Sequence, residues 1–136
     1  MKRSIEFFEP CQVPTVTAQM HKVVVGMDRK PRFYDTAELK AARSYFFDMA
    51  VRGNVRNIML QGAVELTVQF IFPADGRHPE GTYKTTKPDT DNLQKAFKDA
   101  LTKAGWWKDD CQVAAEHVYK TYGKIPGIHC RAEEIN

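Results

Sequence analysis

Val64-Glu65-Leu66-Thr67-Val68-Gln69-Phe70-Ile71-Phe72-Pro73 places a large apolar residue at every even position and sets Glu65, Thr67, Gln69 and Ile71 between them. Successive side chains of a strand point to opposite faces, so this run predicts a strand with one buried face. Pro73 closes it, because proline cannot donate to a sheet ladder. Ala74 to Thr86 contains Gly76, Pro79 and Gly81 and reads as a surface loop. Pro88 then sets an extended approach to Asp89 and Asp91. Beyond it, Leu93, Ala96, Phe97, Ala100, Leu101 and Ala104 keep the i, i+3, i+4, i+7 spacing of an amphipathic helix. Gly105 is placed to end that helix.

Working outward from this strand–loop–helix unit, Val113 to Tyr122 and Ile128 to Ile135 read as two further strands, joined by Gly123-Lys124-Ile125-Pro126-Gly127. Upstream, Ile5-Glu6-Phe7-Phe8 reads as a short first strand, broken by Pro10 and Pro14. Lys22 to Val25 and Arg32 to Tyr34 flank a turn-like segment with Arg29 and Lys30, which predicts a β-hairpin with a basic tip. Thr36 is placed to cap a helix carrying Leu39, Ala42, Tyr45, Phe46 and Met49 at helical spacing, with Gly53 near its end. The order β, hairpin, α, β, α, β, β predicts one α/β (α+β) domain over residues 1–136, a small mixed β-sheet packed against two main helices.

With 136 residues, 43% hydrophobic and 27% charged, the chain fits an ordinary globular protein with a modest core. A net charge of +3 permits a polyanionic partner without demanding one. No apolar run is long enough to span a membrane, and the first residues lack the apolar core of a signal peptide. The three cysteines, Cys11, Cys111 and Cys130, form no metal-ligand spacing with the histidines, which predicts reduced thiols in a cytoplasmic protein.

The chemistry concentrates in Lys87-Pro88-Asp89-Thr90-Asp91-Asn92-Leu93-Gln94-Lys95 and in Trp106-Trp107-Lys108-Asp109-Asp110. Asp89 and Asp91, two apart in extended chain, point the same way. Lys95 lies one helical turn beyond Asp91. Asp110 can return to them if the chain turns back at Gly105. Converging carboxylates repel unless a cation holds them. Three aspartates without histidine suit Mg²⁺, or Mn²⁺, better than Zn²⁺. A calcium loop is excluded, because Gln94 and Ala100 stand where it needs Gly and Glu. The plainer reading is that Asp89 or Asp91 only caps the helix. Lys84, Lys87 and Lys108 bracket the acids and, with Arg29, Lys30 and Arg32 of the hairpin, are candidate phosphate contacts. Glu116 is either a fourth acid or a surface charge. Trp106 and Trp107 either cover the core or stack on an unpaired base.

The run Pro88 to Leu101, followed by Gly105-Trp106-Trp107-Lys108-Asp109-Asp110-Cys111-Gln112-Val113, resembles the RusA family of Holliday-junction endonucleases. The resemblance is close over residues 84–120 and looser, through element order, elsewhere. It implies a homodimeric, Mg²⁺-dependent, structure-specific nuclease acting on four-way DNA junctions, with no small-molecule cofactor. On this resemblance Asp89, Asp91 and Asp110 match the family's catalytic aspartates and Lys95 its essential lysine, with Asp109 the neighbouring acid. Val13-Pro14-Thr15-Val16-Thr17 departs from the family's Pro-Pro-Ser-Asn-Asn type motif. The alternatives are a non-catalytic dimer that binds branched DNA, and a flap or fork nuclease without junction preference.

Overall fold

The computed structural model describes residues 2–15, 21–25, 27 and 31–136, with the two strands at 21–25 and 31–35 given mainly by their backbone. The elements are β1 (Ser4–Pro10), β2 (His21–Val25), β3 (Pro31–Asp35), α1 (Ala37–Gly53), β4 (Ala63–Pro73), α2 (Thr90–Lys103), a 3-10 turn at Asp110–Gln112, β5 (Val113–Gly123) and β6 (Gly127–Ile135). Four strands form one mixed sheet in the order β1-β6-β4-β5, and β2 and β3 pair separately as an antiparallel ribbon. This is the expected α+β fold with the expected element order. Arg29 and Lys30, expected at the ribbon's tip, lie outside the described residues, and Arg32 falls in β3.

β4 is the central strand its alternation predicts. Val64, Leu66, Val68 and Phe70 are 0% exposed and face the helices. It runs antiparallel to β6, where Leu66, Val68 and Phe70 stand opposite Ala132, Cys130 and Ile128. It runs parallel to β5, where Leu66 stands beside Glu116 and Phe70 beside Lys120. Directly paired residues share a face. That register therefore turns Glu116, Val118 and Lys120 toward the helix side.

The helices close over this face. Thr36 caps α1 by accepting from the Leu39 N–H at 3.2 Å. Phe97 of α2 meets Phe46 of α1 edge-on at 5.3 Å and Phe70 of β4 at 5.7 Å, so one ring joins all three elements. Gly105, at φ +83°, ends the second helix in the left-handed region that favours glycine. The chain then buries both tryptophans. Trp106 Nε1–H donates to the Ala50 carbonyl at 2.9 Å, and Trp107 Nε1–H to Thr102 Oγ1 at 2.8 Å. With exposures of 0% and 1%, neither ring is open to a base, and the stacking alternative fails. No helix among the described residues is long and apolar enough to cross a membrane.

The two ends of the chain are clasped by Glu134. Its carboxylate accepts from the Arg3 guanidinium at 2.9 Å and from the Arg3 and Gln61 backbone N–H groups at 2.9 and 2.7 Å. These partners, Arg3 first, pull its pKa from 4.5 down to about 2. A depressed folded-state value means that the stabilisation is complete above pH 4.5 and is lost as pH falls toward about 2. Glu134→Gln is therefore expected to flatten the acid limb of the melting-temperature profile in that window. Thermal melts of both proteins across the acid range check this.

Candidate active site

The helix start decides how the acids are presented. α2 begins at Thr90, with Asp89 as the extended N-cap at φ −72° and ψ 147°. Asp91 is already in the first turn, and its carboxylate accepts from the Asn92 N–H at 3.0 Å. The two acids thus straddle the helix boundary and do not share an extended stretch, which corrects the expectation from their spacing. The positive end of the helix dipole favours an acid in the first turn, so the helix starts one residue before Asp91. The Lys87–Pro88 peptide bond is cis. Asp89 is exposed and its side chain makes no capping hydrogen bond, so the helix does not consume that carboxylate.

Lys95 follows one turn after Asp91, on the same side of the helix. Both line a cleft of about 530 Å³ with Thr90, Gln94 and Lys98, and Glu116 faces them from β5. Lys95 is exposed and has no hydrogen bond or ion pair among the described residues. Lys98 Nζ donates to Glu116 Oε1 at 2.8 Å, joining α2 to β5 at the cleft. Gln94, which lines the same cleft, is 3% exposed, and neither its Nε2 nor its Oε1 has a hydrogen-bond partner among the described residues. Burying an unpaired polar group costs about 1–3 kcal/mol.

Asp110 opens the short turn before β5 and is exposed; like Asp89, it is not among the residues that line the Asp91–Lys95 cleft. Its neighbour Asp109 is the N-cap of that turn and accepts from the Cys111 N–H at 3.0 Å, which holds its carboxyl below the usual range. Gln112 Oε1 accepts in return from the Asp109 and Lys108 N–H groups at 3.2 and 2.9 Å. Asp109 is thereby occupied as a cap, and Asp110 has no such task. Among the described residues, no three His, Cys, Asp or Glu side chains are grouped to hold a metal ion. The chemistry of the donors nevertheless fits Mg²⁺, which needs only one or two carboxylates beside water and substrate phosphate. Asp91 offers an exposed oxygen donor in the cleft, and Asp89, two residues before it at the helix cap, offers another.

Two lysines hold the loop that delivers these acids. Lys120 Nζ donates to the carbonyls of Thr86 and Pro88, each at 2.7 Å. Burial, and then the charge of Lys84, push its pKa down, against the pull of Asp89. Lys84 Nζ donates to Thr86 Oγ1 at 2.8 Å and lies 5.0 Å from the Phe72 ring centroid. Of the expected DNA contacts, Lys84 is thus engaged within the protein, while Lys87 and Lys108 are exposed. Lys120→Met removes two charge-assisted bonds and is expected to cost about 1–3 kcal/mol. Faster hydrogen exchange at the Asp89 and Thr90 amides, with unchanged exchange in β6, is the measurement that localises the loss.

Sequence reasoning passes over Lys120 and the burial of Gln94. The available signal is the alternation Glu116, Val118, Lys120, Tyr122, which puts two charged and two apolar residues on one strand face. His117 points the other way and contacts Glu65 at 3.0 Å.

Comparison with known proteins bears on this arrangement. The profile described as "Endodeoxyribonuclease RusA" matches residues 12–133. A crossover junction endodeoxyribonuclease rusA of Enterobacteria phage 82 is 39% identical over 70 residues, 52% of this chain and 50% of that protein. The protein of that name from Escherichia coli strain K12 is 66% identical over 32 residues, 24% of this chain and 27% of the relative. One from Lactococcus phage r1t is 29% identical over 115 residues, 83% of each chain. The matched stretch therefore spans half the length of the phage 82 relative and about a quarter of the Escherichia coli one. Because the profile runs through both helices, the strands β4 and β5, most of β6 and the acid-bearing loop, the chain belongs to the RusA family of endodeoxyribonucleases.

Proposed function

We propose that this chain is a cytoplasmic, Mg²⁺-dependent endodeoxyribonuclease that resolves four-way DNA junctions as a homodimer. The observation that carries the reading is the cleft in which Asp91 and Lys95 lie one helical turn apart, beside an Asp89 carboxylate that the helix cap leaves unused. The relatives' name, crossover junction endodeoxyribonuclease, supplies the substrate class.

In this proposal Asp89 and Asp91, with Asp110 as the third acid, hold the cation, for which Mn²⁺ can substitute. When bound, Mg²⁺ lowers the pKa of a water and stabilises charge on the phosphate and on the leaving oxygen. The chain's own part is positional and electrostatic. Lys120 and Lys84 fix the loop so that Asp89 arrives at the helix start. Asp91 is set by the first turn of α2, and its bond from the Asn92 N–H orients the carboxylate. Lys95, a point charge without a competing partner among the described residues, offsets the negative charge that builds on the phosphoryl oxygens. Lys87 and Lys108 meet flanking phosphates, as do Arg29, Lys30 and Arg32, so binding weakens steeply with salt. A twofold dimer presents two such clefts, which suits paired symmetric nicks in two strands of like polarity.

A synthetic four-way junction with Mg²⁺ tests this, with fork and flap substrates in competition. Paired symmetric nicks preferring the junction are expected. Equal cutting of forks and flaps would replace junction specificity with a general branched-DNA nuclease. Tight junction binding without any metal-dependent product, in Mg²⁺ or Mn²⁺, would sink the nuclease reading and leave a binding dimer.

A further inference from the structure

Three features of the cleft have no part in the chemistry assigned to Asp89, Asp91, Asp110 and Lys95. Glu116 faces Asp91 and Lys95 from β5, where the parallel register with β4 turns it toward α2. Lys98 reaches across and holds it at 2.8 Å. Gln94, 3% exposed, has both amide atoms without a partner. A lysine paired to a carboxylate at a phosphate-binding cleft has two destinations, because a phosphodiester offers the same charge and the same acceptor geometry. Once it leaves, the carboxylate must find another cation or stand unpaired.

We propose that Glu116 is an additional cation ligand of this cleft, kept in reserve by Lys98 and released when a substrate phosphate takes over that lysine. The inference rests on the nuclease reading of the same cleft. In the substrate-free protein Lys98 satisfies Glu116 and screens it from a divalent ion. When the DNA backbone enters, Lys98 transfers to a phosphate oxygen and Glu116 joins Asp91 as an oxygen donor. The buried Gln94 carboxamide, which lines the same cleft, takes up its missing hydrogen bonds there: its N–H groups donate to the freed carboxylate or to a water on the ion. Phosphate and cation then bind cooperatively, since each favours the state in which the Lys98–Glu116 pair is open.

The experiment is a titration of the purified protein with Mn²⁺, read by loss of the free-ion paramagnetic resonance signal, with no cleavage involved. Lys98→Met unmasks Glu116 and is expected to tighten Mn²⁺ binding about fivefold through one more available carboxylate. The added Glu116→Gln change in Lys98→Met/Glu116→Gln should abolish that gain. Lys98→Met should also weaken junction binding and lower its salt slope by about one, as expected for one lost phosphate contact. Melting temperatures are recorded for each variant. If Lys98→Met and Glu116→Gln lower the melting temperature alike and leave Mn²⁺ binding unchanged, the pair is only a surface ion pair and the proposal is overturned. Asp91→Asn separates the two levels. If it removes Mn²⁺ binding while Lys98→Met has no effect, only this inference fails. If the wild-type protein binds no Mn²⁺ that depends on Asp91, the cation reading of the cleft fails with it.

Discussion

Asp91→Asn is expected to abolish junction cleavage while the protein still folds and still binds the junction. The substitution preserves shape and keeps an oxygen that can accept from the Asn92 N–H, the one hydrogen bond made by the Asp91 carboxylate among the described residues. The first turn of α2 therefore survives. What disappears is the negative charge at the lip of the cleft, and with it a donor to the cation. A loss of about 10³-fold or more in the single-turnover rate corresponds to about 4 kcal/mol of transition-state stabilisation. Binding should hold or tighten, because an acid that repels the phosphate has gone. Gel-shift affinity without divalent ion and single-turnover cleavage with Mg²⁺ give the two numbers. A variant cutting within about tenfold of wild type would place the essential acids elsewhere.

Trp106→Ala is expected to produce the largest loss of stability of any single truncation near the site. Trp106 is 0% exposed and its ring stands edge-on to Phe7 at 5.8 Å and to Trp107 at 6.4 Å. Its indole N–H serves the Ala50 carbonyl in α1, and its own carbonyl accepts from the Leu60 N–H at 2.7 Å. Truncation leaves a cavity and strands the Ala50 acceptor, at a cost of about 3–5 kcal/mol. Against a total of about 5–15 kcal/mol for a domain, this brings the protein close to unfolding. The melting temperature should fall by roughly 10–20 °C. Trp106→Phe keeps most of the volume and loses the N–H, so it should fall between the two. Equal melting temperatures for Trp106→Ala and wild type would mean that the turn after α2 is not anchored through this ring.

The elements that the amino-acid pattern makes plain are those whose burial follows a period. The alternating apolar residues of β4 and the stripe of α2 need no partner to be recognised, because each repeats its own geometry. The capping role of Thr36 and the stop at Gly105 are legible for the same local reason. What stays hidden depends on register between distant segments. Glu116 and Lys120 reach the helix side only because β5 pairs parallel to β4, with a register shift between Val64 and Glu65. No single stretch encodes that. Gln94 reads as polar helix surface, yet it is 3% exposed. The boundary between Asp89 and Asp91 escapes a reading by spacing because extension at Pro88 and helix initiation compete within a few residues, and the helix dipole favours Asp91 inside the first turn.

α2 keeps two obligations apart by angle alone. Around one 14-residue cylinder, Leu93, Ala96, Phe97, Ala100 and Leu101 answer to the core, while Asp91, Lys95 and Lys98 answer to the cleft. A rotation of the helix by even a fraction of a turn would mis-aim both sets together, so the packing that keeps the domain folded is also what holds the residues of the proposed site in alignment. The protein needs no separate scaffold for its chemistry, and it has correspondingly little freedom to drift in sequence along this segment. Gln94, on the seam between the two arcs, is the position where folding and chemistry make opposite demands on one side chain.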